Sequence, residues 1–418
     1  MLAVPNPLSS KVIEPTLVSL IEGLTPTFRE QLSKHADEDR RPKFPRDDRG
    51  FQTELKRRVS TFMHETGRRE RDCWQMYLKT AIIIAWYAAS YLLLVFVVQH
   101  WWEALLATVS LACALAAVGF NIQHDAGHGA YSNRPWINKL AAFGLDLMGA
   151  SSYLWHWKHV VFHHTYVNVA GVDTDIELGG IVRLTPTQRL RAVHHWQHLY
   201  LFPLYGIMAV RWHLWGDFKE VATGRLGPHP IPRPKGWDLF LFIAGKAVSI
   251  GIVIVLPLVL SGHPWWIVGI YYFIMTAVIG VILSIVFQLA HCVEEADFPM
   301  PTDETLRMEA SWAVHQVQTT VDFSRKSRLL AWYLGGLNFQ IEHHLFPRIC
   351  HINYPAISGI VEKTCREYGV KYSVHTTFLA GLRSHYRWLW RMGNPARSSV
   401  KPGAIPANAC SNHALARD

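Results

Sequence analysis

The residues of this chain that could do chemistry are histidines, and they fall in three clusters. His124 and His128 stand four apart in Gln123-His124-Asp125-Ala126-Gly127-His128, which puts both imidazoles on one face of a helix, where one metal ion could take both. His159 and His163 repeat that spacing, and His164 is turned about 100° further round, toward a neighbouring ion. His343 and His344 are adjacent in Gln340-Ile341-Glu342-His343-His344, with Gln340 one turn earlier on the same face. One such pair says little, because histidines at helical spacing are common on surfaces and in hydrogen-bonded cores. Three clusters point to metal. Neutral imidazole suits zinc, copper, iron and nickel, and seven unpaired histidines are costly to bury without an ion. More than four nitrogen donors exceed one tetrahedral zinc, so two ions is the economical count.

Other polar residues fall into place around these clusters. His291, at the end of an apolar run, is placed to complete the ligand set, the alternative being a cap on the last carbonyls of its helix. His315 sits in a polar stretch without a second ligand at helical spacing and is less suited. His156, His194, His195, His198 and His351 read as interfacial or supporting residues. A ligating imidazole needs an acceptor for its other N–H, and carboxylates commonly supply it. Asp125, Glu342, Asp173 and Asp175 are the candidates, with a solvated loop equally open for Asp173 and Asp175. The chain has no G-x-G-x-x-G after a strand, no P-loop pattern and no H-E-x-x-H, so nicotinamide binding by that fingerprint, nucleotide hydrolysis and zinc proteolysis are not indicated.

The elements that must position these residues are membrane helices. Half of the 418 residues are hydrophobic, 17% are charged and 17 are Trp, a composition that fits lipid-facing helices with aromatic anchors. Apolar runs at residues 80–98, 101–120, 239–260 and 265–290 are each long enough to cross about 30 Å of hydrocarbon. Gln99-His100 and Ser261-Gly262-His263-Pro264 join them into two tight hairpins. Neither connection carries Lys or Arg, whereas the opposite flanks carry Arg57, Arg58, Arg68, Arg69, Arg71, Arg134, Lys139, Arg233, Lys235 and Arg307. The positive-inside rule then places both termini and every histidine cluster on the cytoplasmic side, where they can meet. Leu140 to Leu154, Leu199 to Trp212 and Ala331 to Leu337 are too short or too interrupted to cross and read as interfacial or re-entrant pieces. Lys246, inside the third span, either snorkels to the surface or faces the protein interior, and snorkelling is the simpler expectation.

The expected organisation is a cytosolic N-terminal arm over 1–72, partly disordered, with a weak helical pattern from Thr16 to Ser33. A membrane domain over 73–393 and a loose tail over 394–418 follow. The fold class is all-α integral membrane, with a cytosolic helical cap holding the metal site. The net charge of +9 suits anionic lipid, since no basic stretch carries a nucleic-acid motif. Six cysteines without a close pair read as reduced thiols, and no cleavable signal peptide opens the chain.

In their order around two pairs of spans, the patterns H-x3-H, H-x3-H-H and Q-x-x-H-H resemble the membrane fatty-acid desaturase family. Gly335-Gly336-Leu337-Asn338-Phe339-Gln340-Ile341-Glu342-His343-His344-Leu345-Phe346-Pro347 is similar to the hallmark of its front-end members, and the likeness runs from about Gln123 to Trp390. It is nearest to bacterial and cyanobacterial delta-6 acyl-lipid enzymes. The resemblance implies O2-dependent insertion of a cis double bond into a long acyl chain of a membrane lipid, by two Fe ions, in a multi-pass protein of a bacterial inner membrane. By the same resemblance His124, His128, His159, His163, His164, His291, His343 and His344 are ligands, with Gln340 in or beside the set. No H-P-G-G motif of a fused cytochrome b5 domain is present, so the resemblance implies electrons from a separate ferredoxin or cytochrome b5. A sphingolipid desaturase or an acyl hydroxylase would share this scaffold, and a His-lined metal transporter is the remote alternative. A transporter needs its ligands near mid-membrane, and these clusters lie outside the spans.

Overall fold

In a computed structural model of the chain, four helices are long and apolar enough to cross a membrane: Trp74–Val97, Trp101–Gly127, Trp237–Leu260 and Trp265–His291. The structure describes residues 41–302 and 306–395. The helical pattern expected from Thr16 to Ser33, and nearly all of the expected tail, lie outside the described residues.

Each span begins with an exposed tryptophan, Trp74, Trp101, Trp237 or Trp265, an amphipathic ring suited to the membrane–water boundary. The first span starts earlier than its apolar run suggests. The second continues through a π turn, Gly119–Gln123, into His124–Gly127, so the first histidine cluster stands on the end of a span. A helix of that length rises about 40 Å, more than the hydrocarbon needs, so its end projects past the apolar layer.

The second and fourth spans run side by side in the same direction. The Tyr271 hydroxyl donates to the Trp101 carbonyl near their starts, and Phe120 meets Phe287 near their ends. Leu111, Leu115 and Phe120 interdigitate with Met275, Ile279, Leu283 and Val286 in one apolar core. Their residues are 72% and 50% buried within the protein, against 17% and 22% for the first and third spans, which turn Ile82, Phe96, Ile243 and Val259 outward. The outer pair is therefore the lipid-facing pair.

Lys246 does not snorkel. It is buried and donates to the Trp212 carbonyl at 2.9 Å, to Asp217 at 2.8 Å and to the Gly149 carbonyl. The third span is thereby tied to the segments around residues 149 and 212. The three shorter apolar stretches do not form spans: 140–154 breaks at Gly149 to Ser151 and 199–212 breaks at Gly206, while Gly335-Gly336 ends the helix Arg328–Tyr333.

Beyond the spans lies a cap of short helices. The helix Phe51–Glu65 carries Phe51, Leu55, Val59 and Met63 at a spacing of four, and all are buried. Its first amides are satisfied by the Asp47 carboxylate. Phe51 and Leu55 pack on Ile341 and Leu345, and Val59 and Met63 on Phe339 and Tyr354. Each such side chain contributes about 1.5–3 kcal/mol. The helix therefore backs Gln340–Leu345, the short helix that carries His343 and His344. The strand Val321–Phe323 pairs in parallel with Ser373–His375 beneath it, and Asp322 accepts the Ile341 amide at the start of the histidine helix. Gly335 has φ +60° and a Cβ there would lie 2.3 Å from the Phe120 carbonyl oxygen, so only glycine lets this turn seat on the second span. Residues 41–45 with 301–302 and 306–309 form a separate small unit, in which Lys43 pairs with Arg307.

Candidate metal centre

Four elements converge on one buried site. His124 and His128 come from the end of the second span, and His159, His163 and His164 from a π-helical turn and the residue after it. His291 closes the fourth span, and His343 and His344 come from the helix backed by Phe51–Glu65. All eight rings are buried.

Two groups of donor atoms divide seven of the rings, and His159 and His163 also group with Asp175 across that division. His124, His128, His159 and His343 form one and His163, His291 and His344 the other, with the donor atoms inside each within 4.8 Å of one another. His164 lies between them: its Nε2 is 3.2 Å from that of His159 and 2.9 Å from that of His343, and it also groups with His344. His124 and His159 meet Nε2 to Nε2 at 3.2 Å. Two nitrogens each about 2.1 Å from one ion at right angles would sit about 3 Å apart, so these spacings suit ligands of a shared ion. His128, His291 and His344 point Nε2 atoms into buried space with no hydrogen-bond partner, a cost that a metal ion removes. The residues fit a pair of metal ions.

The other ring nitrogens fix the orientation. His163 donates through Nδ1 to Asp173 at 3.1 Å, with Asp175 at 3.4 Å. His344 donates to the Gln316 side chain at 3.0 Å and His291 to the Thr319 carbonyl at 3.4 Å, while His343 Nδ1 meets the Tyr354 hydroxyl at 3.2 Å. Every ring in the second group therefore turns Nε2 inward. Burial, then the neighbouring rings, push His128, His159, His164, His343 and His344 well below the ordinary imidazole range, so they stay neutral and keep a lone pair for metal. His163 moves the other way: burial opposes its charge, but Asp173, by charge and hydrogen bond, and Asp175 outweigh it.

Asp173 and Asp175 are thus brought to the ring of His163. Asp173 is fully buried and also accepts the Asn168 and Asp175 amides, which rules out a solvated loop for it. Asp125 and Glu342 face elsewhere. Asp125 accepts from His351 Nδ1 at 2.8 Å, and His351 Nε2 meets Lys79 at 2.9 Å. Glu342 and Asp322 share the Tyr372 hydroxyl, and burial, then the charge of Asp322, pushes the Glu342 carboxyl well above its usual range. On a helix one face holds His343 and His344, so the residue between them and Ile341 turns to the opposite side. Gln340 is buried, its amide nitrogen unpartnered. His156, His194, His195, His198, His315 and His351 enter neither group.

Sequence reasoning missed Gln316, Thr319, Tyr354 and Trp155. Trp155 stacks on His159 at 4.6 Å and stands edge-on to His124 and His128, and a Cβ on Gly127 would collide with its ring. The position of Trp155 one turn before His159 was the only local signal for any of the four.

Apolar spans that end in a shared, buried set of histidines define a membrane protein whose histidine clusters could hold metal ions. Residues 99–376 match the fatty acid desaturase family. The chain is 38% identical to the sn-1 linoleoyl-lipid 6-desaturase of Arthrospira platensis over 84% of its own length and 95% of that protein's, and 38% identical to the protein of the same name from Synechocystis sp. over 82% and 96%. It is 36% identical to the acyl-lipid (8-3)-desaturase of Physcomitrium patens over 82% and 72%. This chain belongs to the fatty acid desaturase family: it is an oxidoreductase that desaturates acyl chains.

Proposed function

We propose that this enzyme inserts a cis double bond near the carboxyl end of a lipid-bound acyl chain, at the delta-6 position, with O2 as co-substrate. The observation that carries the reading is the pair of histidine groups joined through His164 at the inner ends of the second and fourth spans. His124, His128, His159 and His343 would hold one iron and His163, His291 and His344 the other, with His164 between and Gln340 beside them. With dioxygen and two electrons from a separate ferredoxin or cytochrome b5, the irons supply the oxidant that unactivated methylene C–H bonds require.

The chain's own residues position and shield. Asp173, Gln316, the Thr319 carbonyl and Tyr354 hold four rings in fixed tautomers and angles. Trp155 and Phe287, whose ring lies 6.0 Å from His159, cover the first group with apolar surface and exclude water. Farther along the spans, Tyr87, Tyr91, Leu111, Leu115, Tyr272 and Met275 line an apolar cavity that suits the methyl end of the chain. The bias of Lys and Arg toward the histidine end supports a cytoplasmic site with both termini on that side.

The test is expression in a host of known lipid composition, followed by gas chromatography with mass spectrometry. A new delta-6 olefin in the esterified acyl chains, absent from a His163→Ala variant, is expected. A hydroxylated chain, or unchanged lipids, would overturn the reading.

A further inference from the structure

The helix Phe378–Gly393 packs its start on the inner end of the fourth span, where Phe378 and Leu382 join the transmembrane core and Gly381 faces Leu289. Beside it opens a hollow of about 360 Å³ lined by Glu294, Glu295, His375, Thr377, Arg383 and Arg387. Leu379, at its rim, is 71% exposed. An exposed apolar side chain among charged groups, next to the end of a span, suits the boundary of a bilayer.

We propose that this hollow binds the headgroup of the substrate lipid, and that the headgroup carries both a phosphate and an ammonium. The proposal rests on the acyl-lipid reading above. Arg383 is exposed and makes no hydrogen bond or ion pair among the described residues, and Arg387 has only a 3.8 Å approach to Glu294. Both cations are therefore open to an anion, and guanidinium groups suit phosphate. Two carboxylates share the same walls. Glu294 is held by Arg391 at 2.7 Å. Glu295 accepts the Ser384 hydroxyl at 2.5 Å and lies 3.1 Å from His375, which leaves a carboxylate with further lone pairs for a cation. A simple anion would meet both glutamates and a simple cation both arginines, so a zwitterion is the ligand that satisfies both signs.

The hollow also stands at a set distance from the metal groups. Glu295 lies four residues after His291, so the backbone path between them is at most about 14 Å. That path is rigid: His385 donates to the Cys292 carbonyl and Ser384 accepts the Glu294 amide. An enzyme that places its double bond by counting from the carboxyl end needs its lipid anchored at that end, and this hollow is such an anchor.

The test uses the full chain, purified in detergent, and short-chain phosphatidylethanolamine and phosphatidylglycerol as probes, with binding read by calorimetry. Wild type is expected to bind the ethanolamine lipid more tightly, and soluble glycerophosphoethanolamine to compete where inorganic phosphate does not. Arg383→Gln, on an exposed side chain, should weaken both lipids about tenfold with bound metal retained, the loss of one charge-assisted bond. Glu295→Gln should weaken the ethanolamine lipid alone. Equal binding of the two lipids by wild type, competition by phosphate as strong as by glycerophosphoethanolamine, or wild-type affinity in Arg383→Gln would each overturn the proposal. Acyl products are measured separately, so headgroup-selective binding without a new delta-6 double bond would defeat the delta-6 acyl-lipid reading and leave standing only the hollow's preference for a zwitterionic headgroup.

Discussion

The Nε2 atoms of His164 and His343 lie 2.9 Å apart across 179 residues of chain, and His164 touches both donor groups. Removing it should therefore disturb two ions, whereas removing His291 opens only the second group. His291→Ala is expected to lower bound metal by about half and His164→Ala to lower it further. Plasma mass spectrometry of purified protein checks the order, and equal metal in both variants would refute the shared role of His164.

Asp173 and Asp175 both approach His163, but Asp173 is fully buried and accepts two backbone amides as well. Asp173→Asn should cost about 10–100-fold in metal affinity or activity, since it removes the acceptor that orients a ligand ring. Asp175→Asn should cost much less. Metal titration of the two apo variants decides it, and a larger effect at Asp175 would show that the loop charge matters more than ring orientation.

Lys246 and Asp217 form a buried pair at 2.8 Å. Lys246→Met leaves a carboxylate buried without its partner and should cost about 3–5 kcal/mol, whereas Lys246→Met with Asp217→Asn should recover part of that loss. Thermal unfolding in detergent is the readout. A silent Lys246→Met would mean that the side chain reaches the membrane surface after all.

At Gly335, an added methyl would strike backbone, the Phe120 carbonyl at 2.3 Å, in a left-handed conformation. Gly335→Ala should displace the turn that seats the third cluster on the second span, with loss of bound metal and a lowered unfolding temperature. Gly359→Ala, on the helix Tyr354–Glu367 with open space at its Cβ, is the control and should unfold no lower than wild type, since Ala favours a helix interior over Gly by about 0.5–1 kcal/mol.

Much of this protein is local and therefore written in its sequence. Runs of apolar residues define spans because lipid leaves backbone polar groups no other partner than their own helix. Spacings of four put His124 beside His128 and line up Phe51, Leu55, Val59 and Met63, because the helical period is a short-range property. Charge-poor hairpin connections gave the expectation that all the clusters lie on one side, while spacing singled out seven histidines and the end of an apolar run added His291.

What tertiary structure decided is which rings meet, and what holds them. His159 and His163 share a turn and both approach Asp175, yet His159 meets His124 and His343 while His163 meets His291 and His344, all brought in by other elements. Asp125 and Glu342 adjoin ligands in sequence but turn to His351 and Tyr372, while Gln316 and Tyr354 take the places expected of them. The same holds for Lys246, whose burial depends on Asp217 and two carbonyls from other segments. Adjacency along a helix fixes the direction of a side chain relative to its own axis, but only the packing of separate elements determines what lies in that direction.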